Sequence, residues 1–299
     1  MLHVLTHNIL PVFAMLALGF VMGRSGKASP GEARAINRIA FLVLQPPLIF
    51  LLITGLDLGT FDFGAIALYG LCQALGFALS YWVARAVFGR AHLEAWLLAM
   101  TVIFINTLLY IWPISLLIYG PEAALPVTAV VAWDSTFTFS FFIISMEIMA
   151  GNRASGGALR RVSGNPIILA ILIALAINLS GLSLPQPVLT AAEFAGAGAA
   201  PLTLFALGVI LSGHPVRPTP VILAFSALKL VAFPALIWAA LVVVSPGNTW
   251  QDLVVLTAAG PSGAMAFALA MLYGVRTDSI APVIIWTSLL SLFSLAYLA

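Results

Sequence analysis

Two stretches of this sequence place polar and helix-breaking residues inside long apolar runs. Asn106, Thr107 and Pro113 interrupt residues 95–119, and Gly-Pro-Ser-Gly at positions 260–263 interrupts a second run. Proline removes a backbone donor and clashes with the preceding turn, so a helix is expected to break in each stretch. Backbone groups freed in an apolar environment need a partner from protein, water or ligand. Both breaks are therefore candidate binding sites. The structural alternative is a proline kink, with Asn106 hydrogen-bonded to a neighbouring helix.

The ends of broken helices decide what such a site can bind. An N-terminal end presents free N–H groups and a partial positive charge, which suit an anion, whereas C-terminal carbonyls suit a cation or a proton donor. Half-helices beginning at Pro113 and near Pro261 or Ser262, with carbonyl ends near Asn106 and Ala259, predict an organic-anion site. A proton or a sodium ion is the candidate coupled cation, and no cofactor or metal site is predicted. The predicted substrate-binding residues are Asn106, Thr107, Pro113, Pro261, Ser262 and Gly263.

Two charged residues, Asp134 and Lys229, lie deep inside apolar runs. Each would cost on the order of 2.5 to 3.5 kcal/mol at the centre of a membrane helix, so each is expected to face the bundle interior or water. One interpretation is a coupled charge pair that titrates or binds substrate. The other is a structural ion pair, or Lys229 bonded to a carbonyl at a broken helix. Three polar residues are further candidates to line the same region: Gln73, Ser135 and Thr138.

The composition indicates a polytopic membrane protein. Hydrophobic residues make up 62% of the 299 and charged residues 7%, whereas soluble domains carry roughly a quarter charged residues. Nucleic acid is not a predicted partner, and a single cysteine, Cys72, excludes an internal disulfide. Ten apolar runs predict ten transmembrane helices, at 8–23, 36–54, 63–84, 95–119, 123–149, 165–181, 189–211, 218–244, 252–273 and 279–298.

The ten predicted helices divide into two halves of five. Residues 150–164 form a polar, glycine-rich connection, so we predict a first repeat at 1–149, a cytoplasmic linker at 150–164 and a second repeat at 165–299. An odd number of helices in each half makes the second half enter the membrane inverted. An offset near 155 residues sets Pro47 to Phe50 on Pro201 to Phe205, which supports two related halves with broken helices in corresponding positions.

The charged residues of the connections predict the orientation in the membrane. The even-numbered connections carry acidic residues without a base, namely Asp57, Asp62, Glu122 and Asp252. The bases are assigned to the odd-numbered connections: Arg24, Lys27, Arg34, Arg38, Arg85, Arg90, Arg153, Arg160, Arg161, Arg217 and Arg276. By the positive-inside rule the odd connections are cytoplasmic. The expectation is a multi-pass protein of the inner cell membrane with both termini on the extracytoplasmic side.

Four motifs together resemble the auxin efflux carrier family, whose bacterial members are often described as malonate or malate permeases. They are Asn106-Thr107 with Pro113, Asn165-Pro166-Ile-Ile-Leu-Ala, Ala200-Pro201 through Gly208, and Gly260-Pro-Ser-Gly-Ala-Met-Ala-Phe with Tyr273-Gly. The resemblance implies a ten-helix inverted repeat with crossed helices 4 and 9, similar to bile-acid symporters and sodium/proton antiporters. It implies a scaffold domain, a transport domain and elevator-type alternating access. The implied partners are a small organic anion, such as a dicarboxylate or an auxin-like carboxylate, the lipid bilayer and a second copy bound through the scaffold domain.

Three other functions stay open at this point. Gly260-Pro-Ser-Gly matches the Gly-x-Ser-Gly of intramembrane serine proteases, but the four histidines fall in loops or at termini, so no base is expected near Ser262. Cation/proton antiport without an organic substrate would use Asp134 and Lys229. A channel or a sensor could use the same fold. A non-enzymatic carrier remains the main prediction.

Overall fold

The computed structural model describes residues 2–150 and 162–299, and every regular element in these residues is a helix. The predicted linker at 150–164, with Arg153, Arg160 and Arg161, lies almost entirely outside the described residues. Each predicted apolar run falls on one helix or, at 95–119 and 252–273, on two half-helices. They are α1 (Val4–Arg24), α2 (Pro30–Thr54), α3 (Phe63–Val87), α4 (His92–Ile103), α5 (107–119), α6 (124–149), α7 (Pro166–Ser180), α8 (Gln186–Ser212), α9 (Pro220–Val244), α10 (Gln251–Ala258), α11 (Met265–Leu272) and α12 (Ile280–Leu298).

Length and composition make this a polytopic membrane protein. Among the described residues, seven helical stretches are long and apolar enough to cross a membrane. One of these, Thr107–Met149, is 43 residues long and turns at Gly120, where φ is 68° and separates α5 from α6. Glycine adopts this left-handed backbone at little cost, so the local sequence accounts for the turn.

Local capping explains where several helices begin. The Ser29 side chain accepts from the Glu32 backbone and the Glu32 carboxylate accepts from the Ser29 backbone, so a capping box starts α2 at Pro30. The predicted start at residue 36 was therefore wrong by about two turns, and Arg34 and Arg38 lie within α2. Asn165 caps α7 by accepting from the backbone N–H groups of Ile167 and Ile168.

The helices pack into two groups. Helices α1, α2, α7 and α8 form a first group, in which α1 packs along α8 and α2 packs against both α7 and α8. Helices α3, α4, α6 and α9 to α12 form a second group. Glycine allows the close approach of α1 and α8, because a Cβ added at Gly208 would overlap backbone atoms of Leu16 and Phe20. Helix α5 contacts both groups, reaching α8 and α1 on one side and α6 on the other.

The second group contains two interrupted helices that cross at their breaks. Between α4 and α5, Ile105 pairs antiparallel with Ser262 of the segment between α10 and α11. The Asn106 backbone N–H donates to the Pro261 carbonyl at 3.0 Å, and the Gly263 N–H donates to the Phe104 carbonyl at 2.8 Å. Backbone groups freed by the breaks thus bond to one another inside the protein.

The crossing corrects the predicted ends of the half-helices. The second half of the first broken helix begins at Thr107 rather than Pro113, which lies more than one turn inside α5. The second half of the other broken helix begins at Met265, after the predicted start near Pro261 or Ser262. The carbonyl ends fall at Ile103 and Ala258, because the pairing of the two breaks uses the residues that follow them.

Candidate functional site

A cavity of about 120 Å³ lies beside the crossing, between the two helix groups. A cavity of this volume can hold several water molecules or a small ligand. Residues of α2, α7 and α8 line it from the first group, and α5, α6, α11 and the crossing line it from the second. The lining is largely apolar, with seven polar or charged residues: Asn37, Gln45, Asn106, Thr107, Asp134, Ser135 and Thr203.

Two helix N-termini face this cavity. In α5 the first helical hydrogen bond is made by the Tyr110 N–H to the Asn106 carbonyl, so the N–H groups of residues 107–109 have no partner within the helix. In α11 the first helical hydrogen bond runs from the Ala268 N–H to the Ala264 carbonyl, so the N–H groups of the first turn also have no partner within the helix. Residues of both first turns line the cavity. Free N–H groups and two positive dipole ends make this wall suited to an anion.

Side chains at the start of α5 add unused hydrogen-bonding capacity. The Thr107 hydroxyl is buried, with the residue 3% exposed, and it has no hydrogen-bond partner. The Asn106 side chain is half-buried, and its amide makes no hydrogen bond to any residue that the structure describes. Buried polar atoms in folded proteins are usually satisfied, so the Thr107 hydroxyl is available to bond to a ligand in the cavity.

Asp134 lines the cavity and is held by a buried hydrogen-bond network. The Gln73 amide donates to its Oδ1 at 2.7 Å, and the Tyr69 hydroxyl lies 3.1 Å from both carboxylate oxygens. Thr138 lies 3.5 Å from Oδ1 and 3.0 Å from the Gln73 carbonyl oxygen. The Trp133 indole N–H donates to the same Gln73 oxygen at 2.8 Å. Gln73 and Thr138 therefore orient Asp134 from behind the wall, whereas Ser135 lines the cavity itself.

Lys229 is fully buried but does not line the cavity. Its ammonium donates to the Ala258 carbonyl, at the C-terminal end of α10, over 2.7 Å and lies 5.1 Å from the Phe233 ring centre. No salt bridge joins it to Asp134, although both residues are described. The ammonium makes the hydrogen bond of the structural alternative, in which Lys229 bonds to a carbonyl at a broken helix, while a charge pair without direct contact stays a prediction. A helix C-terminus, where the dipole is negative, stabilises the ammonium instead.

Gln73 and Lys229 make the same kind of contact at the ends of two different helices. The Gln73 amide donates to the Ile103 carbonyl at 3.1 Å, at the end of α4, as Lys229 does at the end of α10. Both donors and both acceptors are separated by about the predicted repeat offset. Each broken helix thus has its carbonyl end capped by a side chain from another helix, α3 for α4 and α9 for α10.

The remaining predicted residues lie in three different places, and Ser262 and Pro261 belong to the crossing without lining the cavity. Ser262 is fully buried, and its hydroxyl donates to the Thr101 carbonyl at 2.6 Å. Its backbone N–H donates to Thr287 at 3.2 Å. These bonds give Ser262 a structural role, and no base among the described residues lies within hydrogen-bond distance of its hydroxyl. Pro261 is buried in the crossing beside it, while Gly263 lines the cavity. Pro113 lies on a separate apolar cavity of about 350 Å³ between α1, α2, α5 and α8.

Three polar lining residues were not predicted from the sequence: Asn37, Gln45 and Thr203. Gln45 and Thr203 are buried, and the Gln45 amide donates to the Thr203 hydroxyl across α2 and α8 at 3.3 Å. The available signal was the same as for Gln73, a lone amide within an apolar run. Sequence position alone gave no reason to connect α2 and α8 with the crossing.

The helices, the crossing and the anion-suited cavity define a membrane transport protein. Comparison with known families agrees, since residues 4–299 match the family described as Membrane transport protein. The chain therefore belongs to this family, the auxin efflux carriers. A protein of Rhizobium meliloti (strain 1021) described as a "Putative malonate transporter" is 26% identical over 304 residues, covering 96% of this chain and 92% of that protein.

Proposed function

We propose that this chain is a secondary transporter that moves a small organic anion across the inner membrane by alternating access. The observation that carries the proposal is the cavity at the crossing, where two helix N-termini and the unsatisfied Thr107 hydroxyl converge. An anion placed there would gain hydrogen bonds from N–H groups that the protein leaves unpaired. Malonate is the first substrate to test, because it is named in the description of the Rhizobium protein.

The proposed architecture is a ten-helix inverted repeat, with repeats at 1–149 and 165–299. The matching caps of α4 by Gln73 and of α10 by Lys229 support two structurally related halves. The position of the cavity between the two helix groups supports an elevator, with the first group as scaffold and the second as the moving transport domain. The one-sided distribution of bases supports the orientation with both termini on the extracytoplasmic side. A homodimer through the scaffold is the proposed assembly.

Counterflow in proteoliposomes tests the transport function. Vesicles preloaded with unlabelled malonate should accumulate labelled malonate without an ion gradient, because a carrier exchanges substrate through its alternating states. Binding is tested separately by thermal unfolding of the purified protein, since a ligand that binds only the folded state raises the apparent melting temperature. The organic-anion proposal would be refuted if a panel of small organic acids produced no exchange and no thermal shift.

Cation/proton antiport is the second candidate, and the location of Asp134 on the cavity wall favours it. In that case an imposed proton gradient should drive sodium or potassium flux in vesicles that contain no organic acid. The same vesicles should show no malonate counterflow.

A further inference from the structure

We infer that the cavity binds a monoanion, so that a dicarboxylic acid enters with one carboxylate ionised and the other carrying a proton. The inference rests on the proposed transport of organic anions and specifies the charge of the transported species. The ionised carboxylate lies at the N-termini of α5 and α11. The neutral carboxyl donates its proton in a hydrogen bond to Asp134.

The charges around the cavity carry this inference. No lysine, arginine or histidine occurs among the residues that line it, all of which the structure describes, and Asp134 is its one ionisable lining residue. The titratable groups that face Asp134 are Tyr69 on α3 and Lys229 on α9. The Lys229 ammonium is committed to the Ala258 carbonyl behind the wall. A second negative charge on the ligand would therefore have no cation to contact, and an uncompensated buried charge is strongly unfavourable.

The positive potential of the wall matches a single negative charge. Each helix N-terminus is equivalent to roughly half an elementary charge, so the starts of α5 and α11 together supply roughly one. Thr107 supports this reading independently, because its buried and unpartnered hydroxyl lies at the start of α5, where it can donate to a carboxylate oxygen. The other uncharged groups of the wall, Asn37, Gln45 and Thr203, can form hydrogen bonds but cannot neutralise charge.

The network behind Asp134 presents its carboxylate as an acceptor. An indole N–H can only donate, so Trp133 fixes the Gln73 oxygen towards itself and turns the Gln73 NH₂ group towards Asp134 Oδ1. Asp134 Oδ2 contacts only the Tyr69 hydroxyl among the described residues. That oxygen retains capacity to accept a further hydrogen bond. A protonated carboxyl of the ligand can donate this hydrogen bond to Oδ2. An ionised carboxylate beside Oδ2 would instead be repelled by the like charge of Asp134.

Malonate and its half-amide, malonamate, separate the two charge states. Malonamate has a single carboxyl group, so it is a monoanion at every pH above the pKa of that group. Its amide N–H can replace the protonated carboxyl of malonate as hydrogen-bond donor. Binding of both compounds is measured by calorimetry across the second ionisation of malonic acid, with counterflow measured in parallel. We expect the affinity for malonamate to stay constant. The apparent affinity for malonate should fall by about tenfold per pH unit above that ionisation, following the fraction of monoanion.

Three outcomes would overturn the inference. The first is a malonate affinity that does not fall with rising pH. The second is an equal fall in affinity for malonate and malonamate, which would show that the protein titrates rather than the ligand. The third is binding of malonate without binding of malonamate. Absence of binding and exchange for all organic acids would instead refute the proposed function.

Asp134→Asn should reduce the preference for the monoanion, because an amide does not repel a second carboxylate. Glu94→Gln, a buried acid that does not line the cavity, is the matched control and should keep the wild-type profile. The wild-type comparison decides the matter even where Asp134→Asn does not fold.

Discussion

Thr107 carries a hydroxyl that the protein alone does not satisfy, and Thr128 on α6 provides a comparison. Both residues are buried and both hydroxyls lack a partner in the described structure, but only Thr107 lines the cavity. Leaving a buried donor unpaired costs about 1 to 3 kcal/mol. The two threonines therefore differ in location, since only the Thr107 hydroxyl lies where a ligand in the cavity could reach it.

Thr107→Val should weaken malonate binding by roughly 0.5 to 1.5 kcal/mol, because the isosteric valine removes one hydrogen bond without changing the shape of the wall. Thr128→Val should leave the affinity unchanged. Neither change should lower the melting temperature, since each removes an unsatisfied polar atom. Calorimetric titration and thermal unfolding measure the two quantities. An equal loss of affinity in both variants would count against a ligand contact at Thr107.

Lys229 is expected to act as a helix cap whose role an uncharged donor can fill. Lys229→Gln retains a group that can donate to the Ala258 carbonyl, as Gln73 donates to the Ile103 carbonyl at the end of α4. Lys229→Met retains the bulk but leaves that carbonyl unpaired. The methionine variant should be less stable than the glutamine variant by about 1 to 2 kcal/mol. Unfolding in detergent measures the difference, and equal stability would show that the cap is dispensable.

The contact between α1 and α8 depends on glycine, so an added methyl group should be harmful at one position and tolerated at another. A Cβ at Gly208 would overlap the backbone of α1, whereas a Cβ at Gly213 would lie 3.6 Å from its nearest neighbour, the Ile210 carbonyl. Gly208→Ala should lower stability by roughly 1 to 3 kcal/mol, the usual cost of overpacking. Gly213→Ala should change stability little. A neutral Gly208→Ala would mean that the two helices separate easily.

The crossing explains why four half-helices can share one small volume. Pairing of Ile105 with Ser262 satisfies backbone groups of both breaks. Gly263 leaves room for the Ile105 carbonyl oxygen, because a Cβ added at Gly263 would lie 3.0 Å from that oxygen. With these groups bonded to each other, the N-termini of α5 and α11 are left for the cavity. The backbone therefore fixes the positions of these two helix ends without a ligand, which would reduce the entropic cost of binding the proposed anion.

An elevator in which α5 moves together with the second helix group predicts that a cross-link between α1 and α5 stops transport, while one within the first group does not. Asn8 on α1 donates to the Leu117 carbonyl on α5 at 2.8 Å, and Asn178 on α7 donates to the Leu56 carbonyl after α2 at the same distance. Cysteine pairs at these two places, in a Cys72→Ala background, provide the test and its control. Oxidation should abolish malonate counterflow only for the pair at 8 and 117. Full counterflow in the oxidised 8–117 protein would exclude movement of α5 against α1.

The orientation of the whole molecule can be tested at two exposed positions. Ser25 follows α1 on the side rich in bases, and Thr249 precedes α10 on the side without them. Single cysteines at these positions, again without Cys72, should react with a membrane-impermeant reagent from opposite faces. In intact cells only the cysteine at 249 should be labelled. Labelling of both from the same face would contradict the ten-helix inverted repeat.

Much of this architecture could be predicted from the order of residues. Apolar runs become helices because a backbone surrounded by hydrocarbon must satisfy its own hydrogen bonds, so run length determines where helices lie. Pro, Gly and Asn within such runs marked the two breaks that the structure joins in the crossing. The family motifs are equally local. Only the ends were misplaced: Pro113 lies inside α5, and α2 begins at its Ser29 cap rather than at residue 36.

The partners of the polar residues were decided by the tertiary structure alone. Lys229 bonds to the Ala258 carbonyl rather than to Asp134, and Asp134 is held by Tyr69 and Gln73 from another helix. Helices in a membrane are apolar on both their lipid-facing and their buried sides, so no contrast in polarity tells which face turns inward. The rotation of each helix, and with it the meeting of α2 and α8 at the cavity, follows from packing between distant segments rather than from local sequence.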